Sequence, residues 1–178
     1  QMCIRDSNDT AASWDAAVNA RTAIDTIRGF DASSLPVQIA AEVQDLPADY
    51  VLDAKEAKRT TRFVQFAAHA AKEAIDASGL DTTRDTDRYG VSIGVGIGAL
   101  HDIEKTTMVL NEKGPRRVSP FFMPYTIANM AAGIVSRKSN LRGPNICTTT
   151  ACTSGTHGIG EALLYIRSGM ADVMVAGG

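Results

Sequence analysis

The sequence predicts an α/β protein with a mainly parallel sheet, on three observations. Segments with period-2 apolar alternation take turns with segments of helical period, the order that lays helices on the faces of a parallel sheet. The apolar run Ala171 to Ala176 is nearly continuous, the pattern of a strand buried on both faces. The composition, 44% hydrophobic and 21% charged over 178 residues, is that of a packed globular chain and disfavours disorder or a fibrous repeat.

Gln1 to Ser7 carry two charges around one isoleucine without periodicity, so they are read as extraneous and residues 8–178 as the folded part. A first helix is expected from about Thr10 to Ala23, capped by Asp9 or Thr10, with Trp14, Ala17, Val18 and Ala20 as its apolar stripe. Val37, Ile39, Ala41 and Val43 alternate with Gln38, Ala40 and Glu42, which predicts a strand with one drier face. Phe63, Phe66, Ala67, Ala70, Ala71, Ala74 and Ile75 then keep the i, i+3, i+4 rhythm of a helix from about Thr60 to Ala77, with Gly79 as its stop.

Tyr89, Val91, Ile93 and Val95 alternate with small residues, predicting a strand that runs into Gly94-Val95-Gly96-Ile97-Gly98. A helix near Leu100 to Glu112 follows. Ser119 to Pro124 is expected to be extended, because proline fixes its own φ and disfavours helix in the residue before it. Pro124 suits the first position of a helix with Ile127, Met130, Ala131, Ile134 and Val135 on one stripe. Arg142-Gly143-Pro144 reads as a loop, Asn145 to Thr149 as a short strand, and Thr153 to Ser168 as a helix ended by Gly169.

Lys and Arg sum to 18 against 20 Asp and Glu, a net charge of −2 that leaves no electrostatic footprint for nucleic acid or an anionic membrane. The basic clusters Lys55 to Arg59 and Arg116-Arg117 are read as solvated faces. The uncharged stretch Val118 to Ser136 is broken by Ser119, Pro120, Pro124 and Asn129, so no transmembrane helix is expected. Cys3, Cys147 and Cys152 are an odd number in a chain of this length, which disfavours a disulfide scaffold and favours a reducing compartment.

Three places could carry chemistry. Gly94-x-Gly96-x-Gly98 is half of a dinucleotide fingerprint, but the third glycine is misplaced and no acidic residue closes the motif downstream, so close backbone packing is favoured. Cys147, Cys152 and His157 fall on a strand, a turn and a first helical turn, without the short Cys-x-x-Cys pairing, so no metal site is expected. The third place is Thr149 to Gly160. Here a strand ends, Cys152 occupies the sharp turn, and a helix starts at once with Gly155, Gly158 and Gly160 in its first two turns. Interior glycines each cost a helix roughly 1 kcal/mol relative to Ala, so their density implies that close approach matters more than helix stability. A thiol at a helix N-terminus meets unsatisfied N–H groups and positive potential, which favour the nucleophilic thiolate. A small buried hydrophobe and an activated nucleophile are both compatible with Cys152 on this basis.

Thr150-Ala151-Cys152-Thr153-Ser154-Gly155, with His157, Ile159 and Gly160, closely resembles the nucleophile elbow of elongating β-ketoacyl-acyl-carrier-protein synthases, above all the synthase II branch. Gly96-Ile97-Gly98, Gly114-Pro115-Arg116, Ser119-Pro120-Phe121-Phe122, Leu141-Arg142-Gly143-Pro144 and Ala171 to Gly178 resemble that family in its order, from about Asn8 onward. The resemblance implies a thiolase-like αβαβα layered fold, of which this chain holds most of the N-terminal half. It also implies a cytoplasmic homodimer that uses acyl carrier protein and needs neither cofactor nor metal.

By the same resemblance, Cys152 is the nucleophile that takes an acyl chain as a thioester. Its N–H forms half of an oxyanion hole, Ile97 lines and gates the acyl pocket, and Phe122 reaches the partner subunit's pocket across the dimer. Ordinary core packing for Ile97 and a loop anchor for Phe122 are the alternatives. His157, like His69 and His101, is read as structural. The family's two catalytic histidines, a lysine and an oxyanion-hole phenylalanine belong to motifs that this sequence does not contain. The chain is therefore expected to be an N-terminal piece, inactive in condensation by itself. The alternatives are a polyketide ketosynthase, a non-catalytic chain-length-factor-like subunit, which the retained Cys152 disfavours, and a degradative thiolase, which the motifs around Cys152 disfavour.

Overall fold

Tyr89–Ile93 (β3) is the centre of the sheet, and its alternation sets what lies on either side. In the computed structural model, which describes residues 9–43, 46 and 51–178, it lies between Asn145–Ile146 (β4) and Val173–Gly177 (β5). Both neighbours are parallel to it, with Val91 opposite Asn145 and Val175. The segment Gln1 to Ser7 lies outside the described residues. The chain divides into two units, residues 1–47 and 48–178.

The first unit holds Thr10–Val18 (α1), Ile24–Thr26 (β1) and Ile39–Ala41 (β2). Asp9 caps α1 as expected, its carboxylate accepting from the Ala12 N–H at 2.7 Å. The helix stops at Val18 rather than Ala23. The Asn19 amide donates to the Asp15 carbonyl, and Ala20 turns to φ +50°. The expected stripe is also wrong: Trp14 and Val18 are exposed, and Ala16 is the buried residue of α1. Strand β1 went unanticipated, since three residues with one large apolar side chain carry no readable alternation. It pairs antiparallel with β2, the expected strand in shortened form. The drier face expected of Val37 and Ile39 is not found, for both are exposed.

In the second unit, Ala54–Ala57 (α2) and Arg62–Ser78 (α3) precede β3. Gly79 ends α3 at φ +67°. The buried stripe of α3 is Val64, Ala68, Ala71 and Ile75, whereas Ala70 and Ala74 face outward. Alanines have little to bury, so the larger Val64 and Ile75 set the phase. After β3 come Leu100–Lys113 (α4), Phe122–Thr126 (α5) and Met130–Lys138 (α6).

The region around Pro124 departs from expectation. Phe121 is already helical in φ and ψ, and Pro124 is the third residue of a one-turn helix. A proline is tolerated there because first-turn N–H groups have no intrahelical acceptor. Extended backbone at Ile127 (ψ 141°) then separates α5 from α6. Ala131, Ile134 and Val135 are buried on α6 as expected, with Ala132 added, while Ile127 is exposed.

Val91, Ile93 and Val95 pack with Ala71 and Ile75 of α3 and with Ala131, Ala132 and Val135 of α6. The opposite face of β3 is small: Gly90, Ser92 and Gly94. Ser154–Arg167 (α7), the crossover from β4 to β5, lies against that side, where a Cβ on Gly158 would sit 3.2 Å from the Ser92 carbonyl oxygen. Strand β4 has two ladder residues rather than the expected five, although Val95 N–H still donates to the Thr148 carbonyl at 3.0 Å. Among the described residues β5 pairs only with β3, and it is largely half-buried rather than covered on both faces. Among the described residues no helix is long and apolar enough to cross a membrane.

Candidate active site

The site is assembled where β3 ends, β4 ends and α7 begins. Gly94 lies so close to α7 that a Cβ there would be 1.9 Å from the Ser154 carbonyl oxygen. Gly94 thus meets the close backbone packing expected of the run, whereas a Cβ at Gly96 would be at an ordinary 3.4 Å from the Ala151 carbonyl oxygen and Gly98 takes a left-handed φ of +83°. On α7, Cβ atoms at Gly155 and Gly158 would lie 2.9 and 3.0 Å from the carbonyl oxygens of Gly178 and Gly177. Gly160 is different, with nothing within 4 Å, so close approach accounts for two of the three helix glycines.

Between β4 and α7 the chain makes a tight 3₁₀ turn over Ala151–Thr153. Ala151 has φ +51°, a left-handed conformation that a non-glycine residue adopts at a cost. Thr153 N–H donates to the Thr150 carbonyl at 3.1 Å, and Ser154 N–H to the Ala151 carbonyl. Cys152 stands in the middle of this turn, exposed. Its N–H donates to no backbone carbonyl among the described residues, so it remains available to an oxyanion. The N-terminus of α7, with its positive potential, begins two residues later.

Cys147 is the contrasting thiol. It is half-buried against the core, and burial pushes its pKa up, which leaves it a poor nucleophile. His157 is exposed on α7. Its Nδ1 is 3.3 Å from Thr150 Oγ1 and its Nε2 3.3 Å from Glu161 Oε1, so it braces the turn from one side. No metal-holding group of three His, Cys, Asp or Glu occurs among the described residues.

A cavity of about 380 Å³ opens over the turn. Gly94, Gly96, Cys152, Thr156, Ile159 and Gly178 are among the residues that line it. Ile97 and Phe122 are not. Ile97 is 72% exposed in the loop before α4, and Phe122 is half-buried as the first residue of α5. Sequence reading missed Ser154, a residue 3% exposed whose hydroxyl is bonded into the turn. Its only signal was a serine two residues after the candidate nucleophile.

The sequence profile of the family described as "Beta-ketoacyl synthase, N-terminal domain" matches residues 3–178. The chain belongs to the β-ketoacyl synthase family. A curated relative from Coxiella burnetii, "3-oxoacyl-[acyl-carrier-protein] synthase 2", is 47% identical over 96% of this chain and 42% of its own length. The chain therefore spans about two fifths of that relative. Among solved structures, a β-ketoacyl synthase from Burkholderia phymatum matches with a TM-score of 0.81 at 21% identity, over 98% of this chain and 44% of its own. A type II polyketide ketosynthase, solved with its acyl carrier protein and bound to the hexaketide, matches with a TM-score of 0.69 at 22% identity, over 76% of this chain and 39% of its own. The thiolase-like α/β fold of the ketosynthases is thus the fold of this β-ketoacyl synthase chain.

Proposed function

We propose that the protein containing this chain elongates acyl chains by decarboxylative condensation, with Cys152 as its nucleophile. The observation that carries this reading is the exposed Cys152 at a strained turn, beside a helix N-terminus and on the wall of a cavity. The Cys152 thiolate attacks the carbonyl carbon of an acyl thioester, and the oxyanion is met by the Cys152 N–H. The tetrahedral intermediate collapses with cleavage of the bond to the carrier's sulfur, and the carrier leaves as its thiol after taking up a proton. A malonyl thioester then loses carbon dioxide. The electron pair released forms the new carbon–carbon bond at the acyl carbonyl, and Cys152 departs as thiolate.

The carrier is taken to be acyl carrier protein, in keeping with the name of the Coxiella relative and with the complex formed by the polyketide ketosynthase. Ile97 is assigned to the acyl pocket wall and Phe122 to a pocket across a homodimer interface. The exposure of Ile97 leaves it open to such a contact.

The test is acyl transfer in the intact protein. With an isotopically labelled acyl-acyl carrier protein, the label is expected on the peptide that carries Cys152 and absent from Cys152→Ala. Equal labelling of the variant overturns the assignment.

A further inference from the structure

Ala151 holds a left-handed φ of +51° without being a glycine, so something in its surroundings must hold it there. The structure supplies one group that does so. Ser154 Oγ accepts from the Thr150 N–H at 2.9 Å and donates to the Ala151 carbonyl at 2.7 Å. One hydroxyl thus ties together both sides of the strained residue and closes the turn that contains Cys152.

The serine is itself fixed. It is 3% exposed, its carbonyl accepts from Thr148 Oγ1 at 3.2 Å, and the missing side chain of Gly94 lets its backbone lie against the end of β3. A hydroxyl buried this deeply is costly unless both its donor and an acceptor site are used, and here both are. The sheet therefore locates Ser154, and Ser154 locates the turn.

We infer that Ser154 is a positioning residue: by holding the Thr150 N–H and the Ala151 carbonyl, its hydroxyl clamps the two-residue segment Thr150-Ala151 in the strained arrangement that presents the thiol and N–H of Cys152 together to the cavity. Ser154 Oγ needs no contact with substrate for this. The inference rests on Cys152 being the reactive residue, and on no particular acyl substrate.

The test uses the intact protein with Ser154→Ala and Ser154→Thr, the second of which keeps the hydroxyl. Two rates are read: alkylation of Cys152 by iodoacetamide, followed by mass spectrometry, and acylation from an acyl thioester. A nucleophile displaced by a fraction of an ångström should lose at least about tenfold in acylation, with Ser154→Thr recovering most of the loss. Alkylation should change by a smaller factor in the same order of variants. If folded Ser154→Ala acylates within about twofold of the parent, the inference is overturned.

Should Ser154→Ala not fold, the comparison is made in an Ala151→Gly background. Glycine accepts the left-handed φ without strain, so the double variant is expected to fold and still to acylate about tenfold more slowly than Ala151→Gly alone. Equal rates for those two overturn the inference. If the parent itself takes no acyl group, the proposed condensation fails, while the alkylation series still decides the role of Ser154.

Discussion

Arg88 and Asp172 are 84 residues apart in sequence, yet they meet as a two-pronged pair, with Arg88 Nε and Nη2 each 2.7 Å from a different carboxylate oxygen. Nη2 also donates to the Gly169 carbonyl at 2.9 Å, and Asp172 N–H donates to the Arg88 carbonyl at 2.9 Å. The fork fastens the entry of β5 to the entry of β3, and so fixes the register that brings Gly177 beside Gly94. Both side chains are about half exposed, so the geometry matters more than the charge. Arg88→Lys keeps the charge but cannot fill both carboxylate positions and the carbonyl together. Thermal melts should rank parent above Arg88→Lys above Arg88→Ala. A lysine variant that melts with the parent would reduce the pair to a simple surface attraction.

Two glycine substitutions are expected to act in opposite directions. A Cβ on Gly94 would collide with the Ser154 backbone at 1.9 Å, and backbone cannot move aside as a side-chain tip can. Gly94→Ala should cost more than about 3 kcal/mol or leave the protein insoluble. Gly160 lies inside α7 with nothing near its missing Cβ, so Gly160→Ala should stabilise by roughly 0.5–1 kcal/mol. Denaturant melts of the two variants check both signs.

Ser92 lies in the middle of β3 with its side chain fully buried, and its Oγ has no hydrogen-bond partner among the described residues. An unsatisfied buried hydroxyl costs about 1–3 kcal/mol, and alanine removes the group while leaving room for α7. Ser92→Ala should therefore raise stability by about 1 kcal/mol, less any loss from the small space left behind. A lower denaturation midpoint would indicate that the hydroxyl has a partner in solution.

The sequence made the frame of the site readable. Val91 and Ile93 against Gly90 and Ser92 announce a strand with one core face and one face for close approach, and the helix glycines after Cys152 announce the element that approaches. The phase of α3 was harder, because Ala67, Ala70, Ala71 and Ala74 look alike to a periodicity count, and only packing separates Ala71 from Ala70. The one-turn helix at Pro124 was hidden because the local bias against helix before proline was overridden. The left-handed Ala151 had no signal at all, since alanine is not a residue type chosen for that conformation. Ser154 was visible only as one more polar letter, for its burial and its two bonds follow from how α7 sits on β3.

Acid sensitivity should concentrate at Glu56. It caps α2 from within, accepting from the Asp53 N–H, and it receives Lys138 and, at 3.0 Å, Arg137 from α6. Lys138 does most to hold its pKa down at about 2; Arg137 and the Asp53 N–H add to the effect, and burial opposes it. A folded-state pKa below the unfolded one means that the interaction contributes fully above the ordinary glutamate value of 4.5 and is lost as pH falls toward about 2. Its contribution near neutral pH is on the order of 2 kcal/mol. Glu56→Gln is the informative variant, because glutamine retains the capping-box bond and removes only the charge. The variant should melt lower than the parent at pH 7, and the gap should close as pH falls from about 4.5 to about 2. Other carboxylates held low, Asp172 among them, stay the same in both proteins, so the difference between the two curves isolates Glu56. A gap that stays constant with pH would show that the ion pairs with α6 do not contribute to stability.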